Sequence, residues 1–600
     1  MISGTALEQD ALPLWFGDEG CPLLGWYHPA ATPQRPCGVV LCAPFGHEYL
    51  VSYRAHRKLA EALSGAGFPV LFFDYDGCGD SADSDAPRIQ AWQRNIRQAI
   101  AQLKQQSGVG QVALFGVRLG ALLAATVAAE VPVAALALVA PVISGRGYAR
   151  ELVAFARMSP IPPSTHPERA VNDDEIAGYP LGKDMQADLG KLNLLKLPLN
   201  HGTRVFISTT DDVTGREDKL IETLRHAGTD LTVSASGGYA AMMTADAYQS
   251  QVPMNLWAEL VAWMQATCTA LPPSGNTDTA RQATAHPRPL CTALPWHGAT
   301  VCEELVGFEG LVGVLSEPSS GTRRDVAVLL NNTGSGHRVS NHRLNVQLAR
   351  ALASQGFCVL RFDRAGMGYS RPTPEGLEND VYAGAGMADM RSAMDFLSQA
   401  RGCRTFVLAG LCSGAYFSYQ AAAVDARVRG LIMINPLTFD WHAGDSLETR
   451  ISRTYKSSGF YLRNAGRLQT WKRLLRGDVA VHRIAAKLVE RGLARLRQML
   501  LDGLRRLGLG GLLARPVAHN FLQMAKRQTD LLFIFGADDS AIDVVAAELG
   551  PQAQILKNYP LLRMEVVDNT DHTFTPRWSQ TYLIDLITRH LLTRFGELKP

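Results

Sequence analysis

Short apolar runs alternate along this chain with amphipathic stretches of helical period, and the whole alternation occurs twice. The run Gly38–Ala43 precedes Arg57-Lys58-Leu59-Ala60-Glu61-Ala62-Leu63, and the run Val326–Leu330 precedes Gln347-Leu348-Ala349-Arg350-Ala351-Leu352. Continuous apolar runs of this length suit strands buried on both faces, and the longer stretches suit helices with one apolar side. Each predicted helix stops at a glycine, Gly67 or Gly356, placed as a C-cap. Next, Leu71-Phe72-Phe73-Asp74-Tyr75-Asp76-Gly77-Cys78-Gly79-Asp80-Ser81 recurs about 290 residues on as Leu360-Arg361-Phe362-Asp363-Arg364-Ala365-Gly366-Met367-Gly368-Tyr369-Ser370. Strands alternating with helices predict βαβ units and a mostly parallel sheet in each copy.

Between the copies, Ala266–Pro295 is rich in Thr, Pro, Ala and Ser and has little apolar periodicity, which reads as a linker. The predicted division is a first domain over 1–265, a linker over 266–295 and a second domain over 296–600. Six hundred residues are too many for one core, in keeping with two.

Composition narrows the class. With 46% hydrophobic and 19% charged residues the chain reads as soluble and globular. The longest apolar runs, such as Val131–Val142, are short and contain proline, so no membrane span is expected. The start, Met1 to Asp10, lacks the basic and apolar regions of a signal peptide. Ten cysteines without CxxC spacing argue against a zinc site or a disulfide framework. A cytoplasmic location with reduced thiols is the resulting expectation, and neither a metal nor an organic cofactor is required by the motifs.

The most chemical stretch is Gly410-Leu411-Cys412-Ser413-Gly414, between the apolar run Thr405-Phe406-Val407-Leu408-Ala409 and the helical stretch Ala415–Ala423. Strand, Gly-x-nucleophile-x-Gly and helix make a nucleophile elbow, here with cysteine at its apex. The glycines are needed because the turn is strained and other backbone approaches it closely. The first copy has a counterpart, Gly116-Val117-Arg118-Leu119-Gly120 after Val112-Ala113-Leu114-Phe115.

This organisation resembles the α/β-hydrolase superfamily across the chain outside the linker. It is also similar to bacterial hydrolases linked to exosortase and exopolysaccharide systems, through Pro44-Phe45-Gly46-His47-Glu48 with Arg54 downstream, Arg361-Phe362-Asp363, and the Cys412 elbow. The resemblance implies two tandem α/β-hydrolase domains with mostly parallel central sheets, the second carrying a helical cap insert. It also implies a triad in the order nucleophile, acid, histidine. In the second copy Leu531-Leu532-Phe533-Ile534-Phe535 runs into Gly536-Ala537-Asp538-Asp539, and the superfamily's acid position selects Asp539, with Asp538 as the neighbouring alternative. Met564-Glu565-Val566-Val567 leads to His572, where the family keeps its base. The oxyanion hole would combine the Ser413 N–H with one from Thr333, Gly334 or Ser335, in the loop after the first strand.

The first copy fails the same test. Arg118 stands where a nucleophile is needed, and a guanidinium stays protonated and cannot attack a carbonyl. Thr210-Asp211-Asp212 retains an acid, but the base position reads Gly237-Gly238-Tyr239-Ala240. This half is therefore expected to be a catalytically silent pseudo-hydrolase that shapes the active half or docks a partner. Arg118 would either pair with Asp212 or bind a carboxylate or phosphate at the helix N-terminus.

A cysteine nucleophile biases the chemistry. Exchange of a thioester for an acyl-cysteine is nearly level in energy, and an acyl-cysteine favours amine attack more than an acyl-serine does. The expectation is an acyl-transfer enzyme with a Cys412–His572–Asp539 triad, taking acyl groups from a thioester on CoA or an acyl carrier protein to an acceptor or to water. A plain carboxylesterase or thioesterase, and a non-catalytic scaffold of a lipid or polysaccharide assembly system, are the alternatives.

An insert over 440–528 reads as a basic helical cap. From Arg450 to Arg527 it carries 18 Lys+Arg against 3 Asp+Glu, although the whole chain is only +3. Leu488, Val489, Leu493, Leu496, Met499, Leu500, Leu504 and Leu507 form an apolar stripe at helical spacing. The stripe suits packing over the active half, and the charge suits an acidic carrier or CoA phosphates, with an anionic membrane surface as the second fit. No nucleic-acid-binding module is present.

Overall fold

The computed structural model describes residues 11–31, 33–157, 175–199, 202–210, 215, 217–234, 236–268, 290–321, 323–442, 445 and 516–596. The first half holds strands β1 (Leu12–Asp18), β2 (Cys21–His28), β3 (Cys37–Cys42), β4 (Val70–Phe73), β5 (Gln111–Val117), β6 (Ala135–Val139), β7 (Glu175–Ile176), β8 (Tyr179–Pro180), β9 (Arg204–Ser208) and β10 (Leu231–Val233). The second holds β11 (Cys291–Trp296), β12 (Ala299–Phe308), β13 (Leu311–Pro318), β14 (Val326–Leu330), β15 (Cys358–Asp363), β16 (Thr405–Leu411), β17 (Val428–Ile434), β18 (Asp530–Gly536) and β19 (Leu562–Val567).

The strand order is β1-β2-β4-β3-β5-β6-β9-β10 in one sheet and β11-β12-β13-β15-β14-β16-β17-β18-β19 in the other. Without β11, the second order repeats the first strand for strand. The N-terminal hairpins pair antiparallel, and from β4 and β15 onward every pairing is parallel. Helices cover both faces, so the central strands β3, β6 and β14 are buried along their whole length. The sequence expectation of two mostly parallel α/β sheets is met.

The helices His47–Gly65 and Leu344–Ser354 occupy equivalent places, and both end as expected at a left-handed glycine, Gly67 at φ 91° and Gly356 at φ 93°. At Gly67 a Cβ would lie 2.7 Å from the Pro33 carbonyl oxygen, so space as well as φ demands glycine there.

Two boundaries differ from the sequence reading. The helix Met254–Thr267 runs into the expected linker, and Cys291–Trp296 pairs as a strand with β12, leaving 269–289 outside the described residues. Likewise the last part of the expected cap, Pro516–Lys526, is a helix whose Val517, Phe521 and Met524 are buried in the second core. Its apolar face is packed on the domain body rather than over a site. Residues 446–515, with the Leu stripe and most of the basic excess, lie outside the described residues.

The two halves pack against each other through equivalent surfaces. Arg57, on the first-half helix His47–Gly65, pairs with Glu378 in the loop that follows β15 in the second half. Reciprocally, Arg343, at the start of the second-half helix, pairs with Asp83 in the loop after β4 and donates to the carbonyls of Gly79 and Ser81. Trp26 stacks on Tyr369 with ring centroids 3.7 Å apart, and Tyr53 stacks on His337 at 3.9 Å. A repeat that buries its own duplicated loops against each other is one folded unit, not two beads.

The cysteines are less scattered than their spacing suggests. Cys291 Sγ lies 2.9 Å from Cys302 Sγ across β11 and β12, and Cys37–Cys268 and Cys358–Cys403 are also side-chain hydrogen-bond partners. All are free thiols. Among the described residues no helix is long and apolar enough to cross a membrane.

Candidate active site

Strand β16 runs straight into Cys412, which sits at φ 58°, ψ −115°, and the helix Ser413–Val424 begins at the next residue. A side chain at positive φ costs of order 1–3 kcal/mol, so the surroundings must hold it there. The Cys412 N–H donates to the Ile434 carbonyl at 2.9 Å, and the Cys412 carbonyl accepts from Ala415 N–H at 3.1 Å. Both flanking glycines are obligatory. A Cβ on Gly410 would lie 2.2 Å from the Gly414 carbonyl carbon, and one on Gly414 would lie 2.9 Å from the Asn332 oxygen.

The loops after β18 and β19 bring the other two predicted residues to this bend. Asp539 Oδ2 lies 2.7 Å from His572 Nδ1, and Asp539 Oδ1 accepts the Ala541 N–H at 2.8 Å. Of the two adjacent acids, Asp539 therefore holds the imidazole. His572 in turn lies close enough to Cys412 for the sulfur to act on its charge, and both side chains line the same cavity. Burial alone would push the His572 pKa down, but the Asp539 carboxylate and the Cys412 sulfur outweigh it and hold the imidazole well above its ordinary value.

Sequence reasoning missed the clamp between these loops. Asn435, just past β17, donates from Nδ2 to the His572 carbonyl at 2.8 Å and accepts the Gly536 N–H on Oδ1 at 3.0 Å. One buried amide thus ties the histidine loop to the acid loop. Its signal in the sequence is faint: a single asparagine after an apolar strand.

The oxyanion candidates separate. Ser413 opens the helix with its N–H beside Cys412. The Gly334 N–H donates to Ser413 Oγ at 2.9 Å, so it is occupied, while Thr333, Gly334 and Ser335 all line the cavity above Cys412.

The first half repeats the bend without the chemistry. Arg118 sits at φ 51°, ψ −116°, within a few degrees of Cys412. Its guanidinium is 3% exposed, pairs with Glu48 at 2.9 Å through Nε and meets Glu151 through Nη2. Tyr148 donates its hydroxyl to the second oxygen of Glu48 at 2.9 Å. Glu48 and Glu151 are partners that the sequence reading did not name, and the expected partner Asp212 lies outside the described residues. The alternative role for Arg118, binding an external carboxylate or phosphate, is corrected by the same observation: its charge is neutralised from within and withheld from solvent. Arg118 thus occupies the apex of the first half's bend in the same backbone conformation as Cys412.

Cys412 and His572 open on a cavity of about 690 Å³ between the halves. Most of its described lining comes from the first half, including Phe45, Leu50, Leu152, Phe155, Ile176 and Met243. Two further histidines, His47 and His342, also line it, and burial pushes the His342 pKa down to about 4. Among the described residues no cluster of His, Cys, Asp and Glu could hold a metal ion.

Comparison with known proteins bears on the fold of both halves. Residues 33–192 match the family model described as "Serine aminopeptidase, S33", and residues 327–581 match that described as "Alpha/beta hydrolase family". The chain belongs to the α/β-hydrolase superfamily, in two tandem domains. Two uncharacterized proteins of Mycobacterium tuberculosis are 38% identical over 128 residues, 21% of this chain, and the chain spans 43% of their length. Among solved structures, the α/β serine hydrolase XC6422 of Xanthomonas campestris is 15% identical, covering 44% of this chain and 99% of its own, with a TM-score of 0.30. Est1E from Butyrivibrio proteoclasticus, solved with ferulic acid, is 16% identical, covering 42% and 98%, with a TM-score of 0.32. Cys412, Asp539 and His572 stand just past the C-terminal ends of β16, β18 and β19, where loops are free to vary without disturbing the sheet.

Proposed function

We propose that the second α/β-hydrolase domain is an acyl-transfer enzyme that uses Cys412 as nucleophile, His572 as base and acid, and Asp539 to orient the imidazole. The observation that carries this reading is the contact chain Asp539–His572–Cys412 at a strained elbow facing a cavity. An imidazolium held beside a sulfur stabilises the thiolate, which is the attacking form.

In the proposed step the Cys412 sulfur bonds to the acyl carbonyl carbon of a thioester. The carbonyl oxygen becomes an anion, received by the N–H of Ser413 and that of Thr333. As the tetrahedral adduct collapses, the bond from carbon to the donor sulfur breaks, and His572 gives that sulfur its proton. An amine, alcohol or water then attacks the acyl-cysteine carbonyl carbon while His572 takes the proton of the attacking group, and the bond from that carbon to the Cys412 sulfur breaks, which returns the thiolate beside the imidazolium. Thr333 is favoured over Gly334 because the Gly334 N–H is already given to Ser413 Oγ. Each oxyanion donor is typically worth about 2.7–4 kcal/mol of barrier.

The donor in this reading is a CoA or acyl-carrier thioester, supported by the cationic excess between Arg450 and Arg527, which attracts phosphates and acidic carriers. An anionic membrane surface would be attracted by the same charge. The first domain, lacking nucleophile and base, serves as the wall of the site.

Intact-protein mass spectrometry after mixing with a panel of acyl thioesters tests the proposal, with the Cys412→Ala variant as control. An acyl adduct on the parent alone, discharged by added amine or alcohol, is the expected result; discharge by water alone makes the enzyme a thioesterase. An adduct that persists in Cys412→Ala, or none with any thioester, refutes it.

A further inference from the structure

We infer that the first, chemically silent domain is the specificity domain of the enzyme: it holds the acyl tail and sets its length. The inference rests on the acyl-cysteine reading above for the identity of the ligand. Once an acyl carbonyl is bonded to Cys412, the rest of the chain must occupy the space adjoining the sulfur. That space is the cavity of about 690 Å³, a size ordinary for an organic ligand. Its far side is apolar and belongs to the first domain: Leu50 on the helix His47–Gly65, Leu152 and Phe155 on the helix Gly145–Arg157, Ile176 on β7, and Met243.

Two further observations point to an apolar occupant. Phe155, a large aromatic that is 55% exposed, stands in the lining of the cavity, where an acyl tail would gain apolar contact with its ring. The hairpin β7–β8 is also fastened across the domain boundary beside the triad. Glu175 accepts the Arg577 N–H at 2.8 Å, the Gly178 carbonyl accepts from Gln580 at 3.4 Å, and the Tyr179 ring packs on His342 at 4.8 Å. A Cβ on Gly178 would lie 2.2 Å from the Thr575 carbonyl oxygen, which explains the glycine at this crossing. The insert that follows β6 in the first domain therefore reaches over the second domain's nucleophile. At the polar end of the cavity, Glu48 and Glu151 are both engaged by Arg118.

Burial of a methylene is worth about 0.8 kcal/mol, so each added carbon should raise the acylation rate constant kcat/KM about fourfold until the cavity is full. Two readouts separate this inference from the reading it rests on. In the first, Cys412→Ala protein, which cannot be acylated, is titrated with the fluorescent polyene fatty acid cis-parinaric acid and the probe is displaced by dodecanoate. Leu152→Trp and Phe155→Ala in that background should each weaken dodecanoate at least tenfold, with far-ultraviolet circular dichroism unchanged. In the second, acyl-N-acetylcysteamine thioesters from acetyl to dodecanoyl are compared on protein with Cys412 intact. Leu152→Trp should lower the ratio of dodecanoyl to acetyl transfer, read as kcat/KM, at least tenfold. Absence of parinarate binding, or variants that match the parent in displacement, overturns the specificity-domain inference. Normal fatty-acid binding with no adduct on Cys412 supports it and refutes the acyl-transfer reading.

Discussion

Arg338, in the second domain, and Asp80, in the first, form an ion pair at 2.7 Å with neither side chain exposed. Arg338 also reaches Asp363 at 2.8 Å, Asp80 also pairs with Arg361 at 3.1 Å, and Glu303 holds both Arg361 and Arg350. Burial alone would raise the Asp80 pKa, but Arg338 and Arg361 outweigh it and hold the carboxylate ionised. Three guanidinium groups and three carboxylates thus balance inside the boundary between the duplicated loops.

Asp80→Asn should therefore cost far more than a surface substitution. Removing one partner of a buried ion pair typically costs about 3–5 kcal/mol, because the remaining charge is left uncompensated. Urea unfolding followed by tryptophan fluorescence and by alkylation of buried thiols should show a loss of that size, with both domains melting together. A loss under about 1 kcal/mol, or two separate transitions in the parent, would show that the network does not join the domains.

The adjacent acids Asp538 and Asp539 should behave very differently. An amide at Asp539 would accept less strongly from Nδ1 and favour the wrong imidazole tautomer, a change that costs roughly 10⁴-fold in a comparable triad. Asp538→Asn should stay within a few-fold of the parent. Pseudo-first-order rates of Cys412 acylation decide the matter, and equal effects from the two variants would remove Asp539 from its assigned role.

His572 should also leave a mark on stability against pH. Its folded pKa is raised well above the ordinary 6.5, so the protonated form is favoured by folding. That contribution is fully present below about pH 6.5 and is lost as pH rises through the folded pKa. The stability difference between the parent and His572→Gln should accordingly be larger at pH 6 than in the alkaline range. A difference that grows with pH would reverse the sign of the proposed pairing.

Several features were legible before any coordinates. Glycines at 410 and 414 around Cys412 announce a bend that no other residue can make, because a Cβ at either collides with backbone. The equal spacing of repeated strands gave the same sheet twice, since an apolar run of five or six residues between helices has few alternatives in an α/β fold. His572 was findable from order alone. Asn435 was not, because both of its hydrogen-bond partners, Gly536 and His572, lie more than a hundred residues further along the chain.

The local sequence by itself determined the elements and the two elbows, with Arg118 at the apex of one and Cys412 at the apex of the other. Tertiary structure alone decided which carboxylates neutralise Arg118, that the domains share a buried network, and that the first domain's hairpin walls the second domain's cavity. The division has a physical reason: strand, helix and turn preferences act over a few neighbouring residues, whereas charge pairing and cavity shape depend on surfaces the chain brings together only once both sheets have formed.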